Sequence, residues 1–96
     1  MRAITKQAVS AFLEGYDFHL SNTRVEKGNM YLFGNLIAKR NSEGIFISDC
    51  GYQTVTTKER LNGILDTLFL ERIYAKKFVW YRNDTLFKTR EWVKIK

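Results

Sequence analysis

Thr23-Arg24-Val25-Glu26-Lys27-Gly28-Asn29-Met30-Tyr31-Leu32-Phe33-Gly34-Asn35-Leu36-Ile37-Ala38-Lys39-Arg40-Asn41-Ser42-Glu43-Gly44-Ile45-Phe46-Ile47-Ser48-Asp49 is the stretch whose reading decides the fold. Four β-rich runs lie in it, Thr23–Glu26, Met30–Phe33, Leu36–Arg40 and Ile45–Asp49. Each break between them carries turn residues: Lys27-Gly28-Asn29, Gly34-Asn35 and Asn41-Ser42-Glu43-Gly44. Short turns between short strands predict an antiparallel meander. Gly34-Asn35 leaves two readings open, a turn or a bulge inside one long strand over Met30–Ala38.

Working outward, the N-terminal side predicts a helix over about Thr5–Glu14. Ile4, Ala8 and Phe12 recur at i+4 with Val9 and Leu13 beside them, and Gly15 supplies the residue that commonly ends a helix. On the C-terminal side, Thr56-Thr57-Lys58-Glu59 fits a capping box, with the Thr56 hydroxyl on the Glu59 amide and the Glu59 carboxylate reaching back. The helix it opens continues through Leu61, Ile64, Leu65, Leu68 and Phe69, although Asn62-Gly63 is a point where it could end. Arg72–Ala75, Phe78–Arg82, Thr85–Lys88 and Glu91–Ile95 then read as a second set of antiparallel strands, with reversals at Lys76-Lys77 and Asn83-Asp84. The expected fold is α+β: one domain over residues 1–96, an N-terminal and a central helix packed on an antiparallel sheet of about five to seven short strands.

Composition bounds the function. Ninety-six residues with 45% hydrophobic content support one core that buries roughly 60–65% of the unfolded surface. The single cysteine, Cys50, permits no internal disulfide, which points to a reducing cytoplasm. The start has no apolar signal region and no stretch reaches membrane-span length, so no membrane role is expected. Sixteen Lys+Arg against ten Asp+Glu give a net charge of +6, which favours polyanionic partners. That charge is concentrated: residues 71–96 hold eight basic and three acidic side chains, a net +5.

Enzymatic signatures are nearly absent, and the chain reads as a non-enzyme without cofactor or metal. It has no phosphate loop, no Cys-x-x-Cys and no His pair at metal spacing. Asp49, Glu59 and Asp66 could converge as a carboxylate set, but ten scattered acids always allow one. Cys50 with His19 is the one conceivable nucleophile–base couple. The plainer reading makes Cys50 a packed small residue and His19 a solvent-facing strand residue.

The most informative segment is Arg72 to Lys96, where aromatics interleave with cations. Bases stack on exposed rings while Lys and Arg pair with phosphates, so the composition suits single-stranded nucleic acid. Lys76, Lys77, Trp80, Arg82, Lys88, Arg90 and Trp92 are the candidates, with Phe78, Trp80 and Arg82 expected on one strand face. The competing reading, that the rings fill the core and the cations form a solvated outer face, weighs more. A second candidate runs from Tyr52 through Lys58 and Arg60, where a hydroxyl-rich loop enters a helix N-terminus that favours an anion. Lys39-Arg40, ending a strand, is a third small basic site.

These residues carry a resemblance. Gly34-Asn35-Leu36-Ile37-Ala38, then Ile47-Ser48, then Gly51-Tyr52-Gln53-Thr54-Val55-Thr56-Thr57-Lys58-Glu59-Arg60-Leu61-Asn62, followed by Lys76-Lys77-Phe78-Val79-Trp80-Tyr81, resemble a family of small proteins of tailed bacteriophages and mobile elements. Tyr52 stands where that pattern has Trp, Cys50 where it has Ala, and Asn83-Asp84 where it has Asn-Gly. The resemblance implies a phage-encoded, cytoplasmic, non-enzymatic protein of an infected bacterium. Two functions follow as expectations: a small nucleic-acid-binding module, or an effector whose aromatics bind and inhibit or redirect a host defence or transcription protein. A homodimer through an open sheet edge is a further expectation.

Overall fold

The computed structural model describes residues 1–96 and opens with helix α1, Ala3–Glu14. Gly15, in the left-handed region at φ 87°, ends it and donates its N–H to the Ala11 carbonyl at 2.9 Å. The meander follows as β1 (Phe18–Leu20), β2 (Thr23–Glu26), β3 (Asn29–Leu32), β4 (Asn35–Asn41) and β5 (Gly44–Ile47). All neighbours pair antiparallel.

The turn between β3 and β4 sits one residue earlier than expected, at Phe33-Gly34, with φ 51° and 80°. Lys27-Gly28 repeats that pattern at φ 51° and 80°. Positive φ at both central residues matches the right-handed twist of the flanking strands, which is why two-residue hairpins adopt it. The bulge is also real, but elsewhere: Met30 pairs with Ala38 and Tyr31 with Leu36, so Ile37 is the extra residue. The shift lets the consecutive Ile37 and Ala38 both be buried, which strict alternation forbids.

Helix α2 spans Val55–Thr67. Its cap is Thr54, not Thr56: Thr54 Oγ1 accepts from the Thr57 amide at 3.2 Å. Glu59 does not reach back to the cap; it accepts from the Arg2 amide at 3.2 Å and from the Thr5 hydroxyl, both on the α1 side. Asn62-Gly63 lies inside the helix rather than ending it. A Cβ on Gly63 would stand 2.5 Å from Thr5 Cγ2 and 3.0 Å from Val9 Cγ2, so the glycine is what lets α1 and α2 pack this closely.

The remaining chain does not make one set of strands. β6 (Ile73–Lys76), β7 (Val79–Arg82) and β8 (Thr85–Leu86) form a separate three-stranded sheet, turning at Lys77-Phe78 rather than Lys76-Lys77, and at Asn83-Asp84 as expected. The last strand, β9 (Val93–Lys94), returns to pair with β5, giving the order β1-β2-β3-β4-β5-β9. The fold is α+β as expected, two helices on antiparallel sheets; six of the nine short strands make the large sheet and three a second, small one.

One face of the large sheet supplies Val25, Met30, Leu32, Ile37, Ile45 and Ile47 to the core. Phe12 and Val9 of α1 and Leu61, Ile64 and Leu65 of α2 pack there, with Ile73, Trp80 and Phe87 from the small sheet. Each such side chain contributes about 1.5–3 kcal/mol by leaving water. No helix is long and apolar enough to cross a membrane.

Candidate nucleic-acid interface

Strand register decides which cations and rings share a surface. The pairs Arg24↔Tyr31 and Tyr31↔Leu36 form one outward row of the large sheet; Asn29↔Lys39, Lys39↔Phe46 and Phe46↔Lys94 form another. On this face the Arg24 guanidinium lies 4.2 Å from the Tyr31 ring centroid. The Lys39 ammonium lies 4.4 Å from the Trp92 centroid and 5.6 Å from that of Phe46. Cations at this range are drawn to the ring faces, holding side chains at a defined position on an open sheet. Glu26 pairs with Arg24 at 3.1 Å, both half-exposed, and offsets part of the charge.

Several sequence candidates are not on that face. Arg40 points inward, and its Nε donates to the Phe12 carbonyl at 3.0 Å, closing the C-terminal end of α1. Arg60 is buried: it donates to Thr23 Oγ1 at 3.0 Å, Thr5 Oγ1 at 2.7 Å, Asn22 Oδ1 at 3.3 Å and Glu59 Oε1. Desolvation lowers its pKa despite the Glu59 charge. Burial pushes the Glu59 carboxyl up, but hydrogen bonds from Thr5 and the Arg2 amide and the charges of Arg60 and Arg2 hold it below the ordinary glutamate value. Arg60 is therefore not free to meet a phosphate, and Arg40 is turned toward α1.

Trp80 is 4% exposed and packs against Phe87 with ring centroids 6.1 Å apart, so its ring is core and closed to bases. Arg82 donates from Nε to the Glu71 carbonyl at 2.8 Å. The Phe78, Trp80, Arg82 face breaks up because Phe78 belongs to the turn and is fully exposed. Lys76, Lys77, Lys88 and Arg90 are exposed, Lys58 is half-buried, and Trp92, 39% exposed, joins Lys39 as described. The Arg90 amide donates to Asp49 Oδ1 at 2.8 Å. Tyr52 is exposed ahead of the α2 N-terminus, where Asp49 is buried; a carboxylate there disfavours the phosphate expected at this loop.

Over residues 1–96 the chain matches the family model described as the Kyanoviridae Gp96 protein. It belongs to that family, a family of small phage proteins. No curated protein and no solved structure matches it. The phage resemblance read from the sequence therefore stands.

One further surface was hidden in the sequence. The outer face of the small sheet carries Tyr74 and Tyr81, stacked with centroids 5.8 Å apart, together with Val79 and Leu86. The Tyr74 hydroxyl donates to Asp84 Oδ1 at 3.1 Å; desolvation, then this bond and the Asp84 charge, raise its pKa. The carboxylates weighed for catalysis engage separate partners: Asp49 with Thr89 and Gly51, Glu59 with Arg60, and Asp66 with Arg72 at 2.9 Å. His19 and Cys50 belong to opposite ends of the meander, with four strand spacings of about 4.8 Å between β1 and β5.

Proposed function

We propose that this phage protein binds single-stranded nucleic acid, without catalysis, across the open face of the large sheet in the cytoplasm of an infected bacterium. The carrying observation is the Lys39 ammonium set between Trp92 and Phe46, beside Arg24 on Tyr31. Rings offer stacking worth about 1–3 kcal/mol per base, and Arg24, Lys39 and Lys94 supply phosphate partners along the same rows. Fluorescence anisotropy with a labelled single-stranded oligonucleotide tests it. With three cations engaged, log affinity should fall by about 2 for each log unit of salt. Trp92→Ala should weaken binding about tenfold at unchanged melting temperature. Salt-independent affinity, or full binding by Trp92→Ala, overturns the reading.

A specific observation favours a second reading, a host-protein effector. Val79, Leu86 and the fully exposed Phe78 offer apolar area but no hydrogen bonds to bases, and with the Tyr74–Tyr81 stack they make a protein-type contact surface. Affinity purification from infected cells with and without nuclease separates the two readings. A host protein retained after nuclease and lost in Tyr74→Ala supports the effector. Edge pairing offers less, because the edge strands β1 and β9 have only three and two residues.

A further inference from the structure

On the inward side of the large sheet, at its end near the start of α2, lies a cavity of about 290 Å³. Buried Leu32 and Ile37 are its apolar wall, and Phe33 and Tyr52, 71% and 53% exposed, stand at its mouth. The volume sits at the lower end of small-molecule sites, enough for one planar ring system and its substituents.

Two independent features single out this cavity. Asp49, which lines it, is 0% exposed. Its Oδ1 accepts from the Gly51 amide at 2.7 Å, the Arg90 amide at 2.8 Å and the Thr89 hydroxyl at 3.2 Å. Its Oδ2 is buried with no partner, and a buried carboxylate oxygen calls for a donor. Phe33 holds φ 51°, a conformation that Asn or Gly adopts far more easily, yet its ring is left largely in solvent. Its ring is thereby available to an occupant of the cavity.

We propose that this cavity takes a single amino-bearing nucleobase, cytosine or adenine, whose exocyclic amine donates to Asp49 Oδ2. The occupant must bring a hydrogen-bond donor, and the chain's net charge of +6 disfavours a cationic one. Both bases place a ring-nitrogen acceptor next to the amine, which the Asn35 amide at the cavity can meet. Guanine presents two adjacent donors suited to both oxygens of a carboxylate, and only one is free here. Thymine and uracil offer one imide N–H flanked by two carbonyl oxygens, and those oxygens meet the carboxylate unfavourably. Phe33 and Tyr52 supply the stacking surfaces. The placement on a polymer rests on the nucleic-acid reading above; the pocket's selectivity does not.

NMR titration of the full chain with deoxycytidine, deoxyadenosine and thymidine, with Nα-acetyl-lysine methylamide as the cationic control, tests this directly. Deoxycytidine or deoxyadenosine should shift the Leu32, Phe33 and Tyr52 amides saturably, at least about tenfold more tightly than thymidine. Asp49→Asn, which presents a donor in place of Oδ2, should reverse that order. Phe33→Asn suits the turn and should fold while weakening nucleoside binding about fivefold or more, which decides the matter if Asp49→Asn does not fold. Equal affinity for thymidine, saturation by the lysine derivative instead of a nucleoside, or no shift at all overturns the proposal. Trp92→Ala tests the sheet face separately: it should weaken oligonucleotides and leave nucleoside binding unchanged.

Discussion

The Asn62 side chain serves as a strand partner for Ile73. Its Nδ2 donates to the Ile73 carbonyl at 2.9 Å while its Oδ1 accepts from the Ile73 amide at 2.7 Å. One amide group in the middle of α2 thereby fixes where the small sheet begins and brings Trp80 and Phe87 into the core.

Replacing that amide leaves two buried backbone groups unpaired. At about 1–3 kcal/mol for each, Asn62→Ala should lose about 2–4 kcal/mol in urea denaturation. Asn62→Asp keeps the acceptor and should lose about half as much near neutral pH. A loss below about 1 kcal/mol for the alanine variant would mean that water satisfies Ile73.

Glu59 ties stability to acid pH. Its folded pKa lies below the ordinary glutamate value of 4.5, so its contribution is fully present above that value and is lost as pH falls through the lowered one. Glu59→Gln should therefore melt at lower temperature than the parent at pH 7, and the gap should close below pH 4.5 as the parent's carboxyl protonates. A gap that stays constant across the acid range would remove Glu59 from the linkage.

What could be read in the sequence was local. The Ile4, Ala8, Phe12 spacing marks α1, and turn residues at three breaks mark the meander, because both signals act over a few residues. The buried polar groups escaped because their partners are distant: Arg60 meets Thr23 and Thr5 at separations of 37 and 55 residues. Alternation paired Trp80 with Arg82 but could not say which face was inward. Trp92 was legible as a candidate, yet only the return of β9 to β5 places it beside Lys39.

The cap of α2 illustrates the same limit. Thr54, Thr56 and Thr57 all have capping chemistry, and only backbone geometry chooses among them: Thr54 is extended at φ −107°, ψ 163°. Thr54→Ala should cost about 1 kcal/mol, while Thr56→Ala should stay within about 0.5 kcal/mol. Thermal melts of the two variants check this, and the reverse order would return the cap to Thr56.

The turn at Lys77-Phe78 joins stability to binding. Both residues sit at positive φ, 52° and 67°, where side chains other than Asn, Asp and Gly are strained, and Phe78 has its whole ring in water. Neither propensity nor burial favours phenylalanine there, and the host-protein reading would give it a use. Substituting Asn-Gly for Lys77-Phe78 should relieve the strain and raise stability by about 1–2 kcal/mol. The same variant should lose nuclease-resistant capture of a host protein while retaining oligonucleotide binding through the Lys39–Trp92 face. Unchanged stability would refute the strain argument; a stabilised variant that still captures the protein would take Phe78 out of the contact.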